Sequence, residues 1–597
     1  MNNRQKDIDM KKMLFLLCAM FVALQAFAVQ YYVSGNGTTG NPWCNGLSWG
    51  AKACPMTMSG NSGSITFEGV PAGAYQFKVT NGTTWYGANK FRPSCSNLYA
   101  YGNDNICFST TQTQDITVSY DGTYICLTGT VGNDYPDTTQ YGAVGVPTEY
   151  EGVMMQCFYW NSYQDQGYGR TKWIDLIKIA DEIGDNFDLV WFPPSAEGGG
   201  TGYYAKRYSI QDSDWGTREK LRELIGKLHA KGTKVIGDIV VNHHASSNSW
   251  CAFYNENFGS YGQFQLTSEH ICSGDECFSD KDSNCKGSTE RGAADTGDND
   301  AGCRDLDHTS EFVQNLVKAY LSWMRNSIGY DGWRYDMVKG YLGGYVSMYN
   351  ISSQPYFSVG EYWDGTPNNL KNYLETTSYN TTVFDFPLKY KFNSNIGKGS
   401  YAGMKNAGLR SIGLQKYAVT FIDNHDTFER SDNQSDEFIG YKKNLVTNKA
   451  KVLQANAYLL MMPGTPCVFF PHWVTFKSEI NTLIALRKAA GIHSESQVFD
   501  EVGESKAYAG TIQGHNGSVI LRMGPNRDTS VPAGYFLAVQ GNDFEIYASN
   551  EVVFTPVNIT SVENVREQTK SEKQLINGHL YIIKNGNKYD ATGRLIQ

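Results

Sequence analysis

Three carboxylates in this chain stand among residues that could do chemistry with them. One segment reads Gly332-Trp-Arg334-Tyr-Asp336-Met-Val-Lys339-Gly340, a second Gly360-Glu361-Tyr-Trp363-Asp364, and a third Asp423-Asn424-His425-Asp426. Upstream lies Asp238-Ile-Val-Val-Asn242-His243. A single such carboxylate has a plain explanation as a solvated strand end or a helix N-cap. Asp336, Glu361 and Asp426 close three separate apolar runs, two of them beside Arg or His, and together they resist that explanation. Cleavage of a glycosidic bond needs such a group, because its transition state is oxocarbenium-like: one carboxylate attacks the anomeric carbon while a protonated carboxyl delivers a proton to the leaving oxygen. A flanking cation keeps the first ionised, and carboxylate crowding raises the pKa of the second. Arg334, two residues before Asp336 on one strand, points to the same face.

The elements that must position these groups follow a strand-then-helix rhythm from about residue 150. Apolar strand candidates are 153–160, 189–194, 234–243, 332–338, 357–363, 382–388, 418–426 and 465–470. Helix patterns lie at 172–183, 218–231, 311–328, 369–376, 401–409 and 449–462, with a last one at 479–490 and only a short helix between the fourth and fifth strands. Continuous apolar strands alternating with helices predict a parallel sheet covered on its outer face, and eight such units predict a TIM (β/α)8 barrel spanning 150–492. Chemistry in such a barrel sits at the C-terminal strand ends, where the carboxylates fall. Residues 244–309, after the third strand, carry Gly, Ser, Asn, Asp and five Cys without a helix period. A loop of that length is usually functional, and it reads as a small domain inserted over the barrel mouth.

Flanking regions are of β type. Residues 30–135 hold short runs at 30–33, 64–67, 74–79, 115–120 and 123–128 between Gly, Asn and Ser, which predicts a small β-sandwich. Trp43, Trp49, Trp85 and Tyr86 sit beside its turns, as a sugar platform or as core. Runs at 505–512, 518–523 and 535–548 predict a C-terminal β-sandwich over 493–555, followed by a linker and tail over 556–597.

Composition excludes several classes of protein. With 41% hydrophobic and 19% charged residues the 597-residue chain can bury large cores. A formal net charge of −9 without a long basic run argues against nucleic acid or an anionic membrane as partner. The run 13–24, after Lys11-Lys12 and before Ala26-Phe27-Ala28, is too short to span a bilayer and predicts a signal peptide over 1–28. Of the 13 cysteines, five cluster early (Cys44, Cys54, Cys95, Cys107, Cys126) and five in the long loop (Cys251, Cys272, Cys277, Cys285, Cys303). In an exported chain this predicts disulfides, with pairing open; zinc is disfavoured because paired C-x-x-C units and His partners are lacking.

The four segments quoted first resemble, in order and at the right strands, the conserved regions of the glycoside hydrolase family 13 α-amylases, and the resemblance extends over about 150–555. It implies that Asp336 is the nucleophile, Glu361 the acid/base and Asp426 the third carboxylate that holds sugar hydroxyls. It further implies that Arg334, His243 and His425 position these groups and the glucose unit, that Tyr203 of Gly202-Tyr203 stacks on that ring, and that Lys339 and Trp363 contact substrate. Lys339-Gly340-Tyr341 and the stretch from Asp295 to His308 are similar to the plant-type enzymes and their bacterial relatives. The chain departs from the pattern at Arg304, where Pro is usual, and at Tyr204-Ala205. The same resemblance implies Ca²⁺ held by Asn242, Asp295, Asp305 and the carbonyl of Gly340, with Asp298 as a further carbonyl donor; a hard cation wants such oxygens. The 30–135 module looks like a starch-binding module, and the tail is similar to type IX secretion sorting segments. Together these imply a secreted or cell-surface, monomeric, retaining, endo-acting α-amylase on starch-like α-1,4-glucans, exported by secretion machinery and without a membrane span. A maltogenic amylase or transglycosylase on the same barrel, and a non-catalytic glucan-binding protein, are the alternatives.

Overall fold

The computed structural model describes residues 29–71, 73–87, 90, 105–110, 113–129, 144–164, 167–247, 251–273, 292–298, 304–429 and 448–560, and the backbone of most of 572–596. The expected signal peptide lies outside the described residues.

Eight parallel strands close into a barrel in chain order: Met154–Gln156, Leu189–Trp191, Lys234–Ile239, Gly332–Tyr335, Ser358–Gly360, Thr382–Phe384, Ala418–Phe421 and Thr465–Phe469, the last pairing back to the first. Every expected strand is present but shorter, because pairing stops where the chain turns into the mouth loops. Apart from Lys234 at the foot of the third strand, the strand residues are buried, as a sheet sandwiched between a filled interior and an outer helical ring requires. Helices Arg218–Ala230, Glu311–Trp323, Lys449–Met461 and Lys477–Ala490 follow the expected pattern. The connection after the fourth strand is a full helix, Gly343–Ser353, rather than a short one.

One helix is misplaced by the sequence pattern. Residues 401–409 form only the 3-10 turns Ala402–Met404 and Gly408–Ile412, with Asn406 at φ 46° between them. The helix of this unit is Phe386–Ser394, which starts where a strand was expected to continue. Its start is well marked: the Asp385 carboxylate accepts from Leu388 N, and Pro387 sits in the first turn.

The insertion after the third strand is anchored at both ends. His243–His244 pairs antiparallel with Arg304–Asp305, His243 opposite Asp305, so the returning chain is stitched beside the barrel mouth. Arg304, the departure from the family pattern, is buried and donates to Ser246 Oγ. Farther out, strands Asn255–Asn257 and Gln263–Gln265 form a hairpin whose buried Glu256 accepts from Tyr208 N and Ser209 N, tying it to the loop after the second strand.

The N-terminal module is a two-sheet sandwich with a hydrophobic core of its own. Trp43 is fully buried at its centre, edge-on to Phe67, Phe77 and Phe108, so it is core and not a sugar platform. Trp49 is exposed. C-terminal to the barrel, where a sandwich was expected, strands from Val498 to Asn558 form one six-stranded sheet. Its inner residues, among them Val519, Leu521 and Phe544, join the barrel's core, so the barrel helices act as its second layer. The described tail backbone forms a small antiparallel four-stranded sheet. Cys126 and Cys251 each take part in a disulfide. Cys44 and Cys54, expected to take part in stapling, are buried thiols, as are Cys157 and Cys467. Among the described residues no helix is long and apolar enough to cross a membrane.

Candidate active site

The chain leaves the fourth barrel strand at Asp336 and turns sharply. Met337 adopts φ 44°, a left-handed conformation that costs a non-glycine residue on the order of 1 kcal/mol or more. The turn closes with Gly340 N donating to Met337 O at 2.9 Å. Its effect is to aim Met337 N at Glu361 Oε2, 3.2 Å away on the loop after the neighbouring strand. Asp426 is positioned by a different device. Asn424 Oδ1 accepts from Asp426 N and Thr427 N, capping the short helix His425–Glu429. Beneath it the buried Lys389 donates to Ile422 O and to Asp423 Oδ1, fixing the end of the seventh strand.

Arg334 lies under the floor, fully buried. Its Nη1 donates to Asp238 Oδ1 at 2.8 Å and Asp336 Oδ1 at 2.6 Å, and its Nη2 forms an ion pair with Glu361 Oε1 at 2.7 Å. Burial opposes its charge, but Asp238, Glu361 and Asp336 hold it protonated. One cation facing three carboxylates in a dry site cannot balance three full negative charges, so protons must be retained. Burial pushes the Asp238 carboxyl up to about 7, against Arg334 and with help from Asp336. Burial likewise raises Glu361 well above the carboxylate range, opposed by Arg334 and reinforced by Asp336 and Asp426.

Above this floor opens a cavity of about 580 Å³. Asp336, Glu361 and Asp426 line it, each about 5% exposed, together with Tyr203, His243, Lys339, Trp363 and His425. Of the residues assigned to substrate, Arg334 alone does not face the cavity. Tyr203 donates to Asp238 Oδ2 at 2.8 Å, and its ring lies parallel to those of His425 (5.1 Å between centroids) and Trp160 (6.0 Å). Gln156 Nε2 donates to His425 Nδ1, which leaves the ring proton on Nε2, 3.3 Å from Asp426 Oδ2. His243 donates from Nε2 to Tyr203 O. At the rim, Trp363 stacks on Phe386 and donates to Tyr390 Oη, while Lys339 pairs with Asp364 at 3.4 Å.

Two residues of the site had no role assigned from the sequence, although Asp238 opens one of the quoted segments. Asp238 joins Arg334, Tyr203 and Trp191 Nε1 in one hydrogen-bonded hub; an acidic residue within a largely apolar strand was the available signal. Trp160 completes the aromatic wall, and nothing in its local sequence distinguished it from a core residue. Tyr204, Asp298 and Met337 also line the cavity.

The residues assigned to a cation converge beside the site. A Cβ built on Gly340 would lie 1.8 Å from Asn242 Oδ1, so only glycine permits this approach. Asn242 Nδ2 donates to Asp305 Oδ1 at 3.2 Å. Asp298 N donates to Lys339 O, bringing the 295–298 segment against the same turn. Asn242 Oδ1 and Asp295 Oδ2 are buried and accept no hydrogen bond among the described residues. Burial pushes the Asp295 carboxyl up to about 7. Oxygen acceptors buried without donors fit a hard divalent cation.

Fold and site together define a closed parallel barrel whose mouth holds Asp336, Glu361 and Asp426 above the buried Arg334. Residues 180–353 match the family model described as Alpha amylase, catalytic domain. The chain is 30% identical over 445 residues to Alpha-amylase 3, chloroplastic, of Arabidopsis thaliana, covering 70% of this chain and 46% of that protein. It is 27% identical over 419 residues to Probable alpha-amylase 2 of the same plant, covering 66% of this chain and 93% of that one. The chain thus spans less than half of the first relative and nearly all of the second. The solved α-amylase of Geobacillus thermoleovorans complexed with acarbose superposes with a TM-score of 0.48 at 17% identity, covering 67% of this chain and 99% of that one.

Proposed function

We propose that this protein is a secreted, calcium-dependent α-amylase that cleaves internal α-1,4-glucosidic bonds of starch-like glucans with retention of configuration. The observation that carries the reading is the sharing of one buried guanidinium by Asp336 and Glu361 at the floor of an open cavity. Asp336, hydrogen-bonded to Arg334, attacks the anomeric carbon, while Glu361, raised by burial, gives its proton to the departing glycosidic oxygen. Glu361, now ionised, then takes a proton from water, which attacks the glycosyl–Asp336 ester, and both residues return to their starting states. Asp426 and the Nε2–H of His425 hold sugar hydroxyls, and the parallel rings of Tyr203 and Trp160 offer apolar faces to the glucose ring.

Asn242, Asp295, Asp305 and the carbonyl of Gly340 would hold Ca²⁺, with the 298 carbonyl as a further donor. Bound there, the ion supplies a clamp between the inserted loop and two barrel strands. The separate core of the N-terminal module suits an independently acting starch-binding unit, with exposed Trp49 as a contact. The tail serves as a sorting segment for type IX export, and the chain acts as a monomer.

Product analysis on amylose over time tests this reading. A spread of maltooligosaccharides at the earliest times is expected. Maltose alone would make the enzyme maltogenic, longer or cyclic glucans would make it a transglycosylase, and no release of reducing ends would leave only a glucan-binding protein.

A further inference from the structure

At the end of the barrel opposite the catalytic mouth, three chain segments bring imidazoles and carboxylates together. Glu149 and Glu151 lie just ahead of the first barrel strand, His493 follows the last barrel helix, and His515 sits in the turn between the sheet strands Tyr508–Gly514 and Gly517–Met523. The rings of His493 and His515 stack with centroids 4.3 Å apart and planes 16° from parallel. His515 Nδ1 is 2.8 Å from Glu151 Oε1, and its Nε2 is 3.5 Å from Glu149 Oε2. One ligand atom from each of Glu149, His493 and His515 falls within 4.8 Å of the others.

We propose that Glu149, His493 and His515, with Glu151 adjoining, form a binding site for a transition-metal dication of the zinc type that staples the C-terminal sheet to the foot of the barrel. Two imidazole nitrogens and a carboxylate are the donor set of a borderline-soft ion, unlike the all-oxygen set beside the active site. The arrangement gains from such an ion. Stacked imidazoles cannot both carry charge cheaply, and a dication accepts their lone pairs while answering the carboxylates. His493 is buried, so a ligand atom it offers is held in a fixed place beneath the exposed His515. The Nδ1 of His493 accepts only a long 3.3 Å bond from Glu495 N. Glu495 itself is committed elsewhere, accepting from Glu149 N and pairing with Lys416. His515 also lines an open surface cavity of about 560 Å³, which gives an ion and its remaining waters access.

The test uses the full chain saturated with Ca²⁺, so that Zn²⁺ does not report on the oxygen site. Titration calorimetry should show one equivalent of Zn²⁺ bound, with a rise in unfolding midpoint that grows with Zn²⁺ concentration and no gain in turnover, since the site is remote from the cavity. His515→Ala, a half-exposed position whose loss should not disturb folding, should abolish both the binding and the shift. Glu149→Gln should weaken binding at least several-fold. Anomalous diffraction at the zinc edge should place the ion between His493 and His515. Absence of binding in the wild-type chain, or equal binding in His515→Ala, would overturn the proposal.

Discussion

Asp336 and Glu361, on adjacent barrel strands, are held by the two terminal nitrogens of one guanidinium, at 2.6 Å and 2.7 Å from Arg334. A further bond from Met337 N fixes the second carboxyl relative to the first. The nucleophile and the proton donor are therefore positioned as one unit before substrate arrives, which is where positioning contributes most to rate.

Loss of either member should stop turnover without emptying the cavity. Asp336→Asn and Glu361→Gln should each lower kcat by several orders of magnitude on a soluble maltooligosaccharide, while KM moves far less, because Tyr203, His243 and His425 still hold the sugar. Steady-state kinetics of the two variants provide the check, and near-wild-type turnover in either would displace it from its role.

The pH profile should carry the signature of Glu361. Burial, with Asp336 and Asp426, raises its pKa, and a general acid works only while protonated, so kcat/KM should fall as pH rises through that raised value. Asp426→Asn removes one of the negative charges that raise it. The alkaline limb of that variant's residual activity should therefore move to lower pH, and a limb that moves upward would contradict the assigned coupling.

Calcium should link stability to activity. An ion that binds only the folded state stabilises it by mass action. Chelation should lower the melting temperature and turnover together, with Ca²⁺ restoring both and Mg²⁺, which prefers a tighter octahedral shell, restoring them poorly. Asp305→Ala should mimic chelation although Asp305 takes no part in the chemistry, and Gly340→Ala should do so by driving a Cβ into Asn242. Full activity and unchanged melting after exhaustive chelation would refute the site.

Deletion of residues 30–135 should weaken adsorption to granular starch and leave hydrolysis of short soluble maltooligosaccharides nearly unchanged. The module's core is separate from the barrel's, so its removal exposes little of the catalytic domain. Unchanged granule adsorption would make it a spacer.

Much of this architecture is legible in the chain because parallel strands buried on both faces are continuous apolar runs, and all eight appear as such. The carboxylates at their ends stand out for the same reason: a charge closing an apolar run is conspicuous. Asp238 was obscured because it lies within a strand rather than at its end, and only the closed barrel shows it turned toward Arg334. The helix at Phe386–Ser394 was hidden by its apolar start, which prolongs the preceding strand pattern, although Asp385 and Pro387 carried the capping signal. Residues 401–409 keep a helical apolar spacing, but Gly403 packs on Asn395 and Gly408 takes a positive φ, so two 3-10 turns form instead. Trp43 shows the reverse ambiguity, since an aromatic beside a turn reads alike as platform or core until the surrounding rings are placed.

If Asp336 and Glu361 act by double displacement, the first product keeps the anomeric configuration of the substrate. Proton NMR of a fresh digest, read in the first minutes before mutarotation, should show reducing ends formed as the α-anomer. Initial release of the β-anomer would mean a single inverting displacement, and Asp336 would not be the nucleophile.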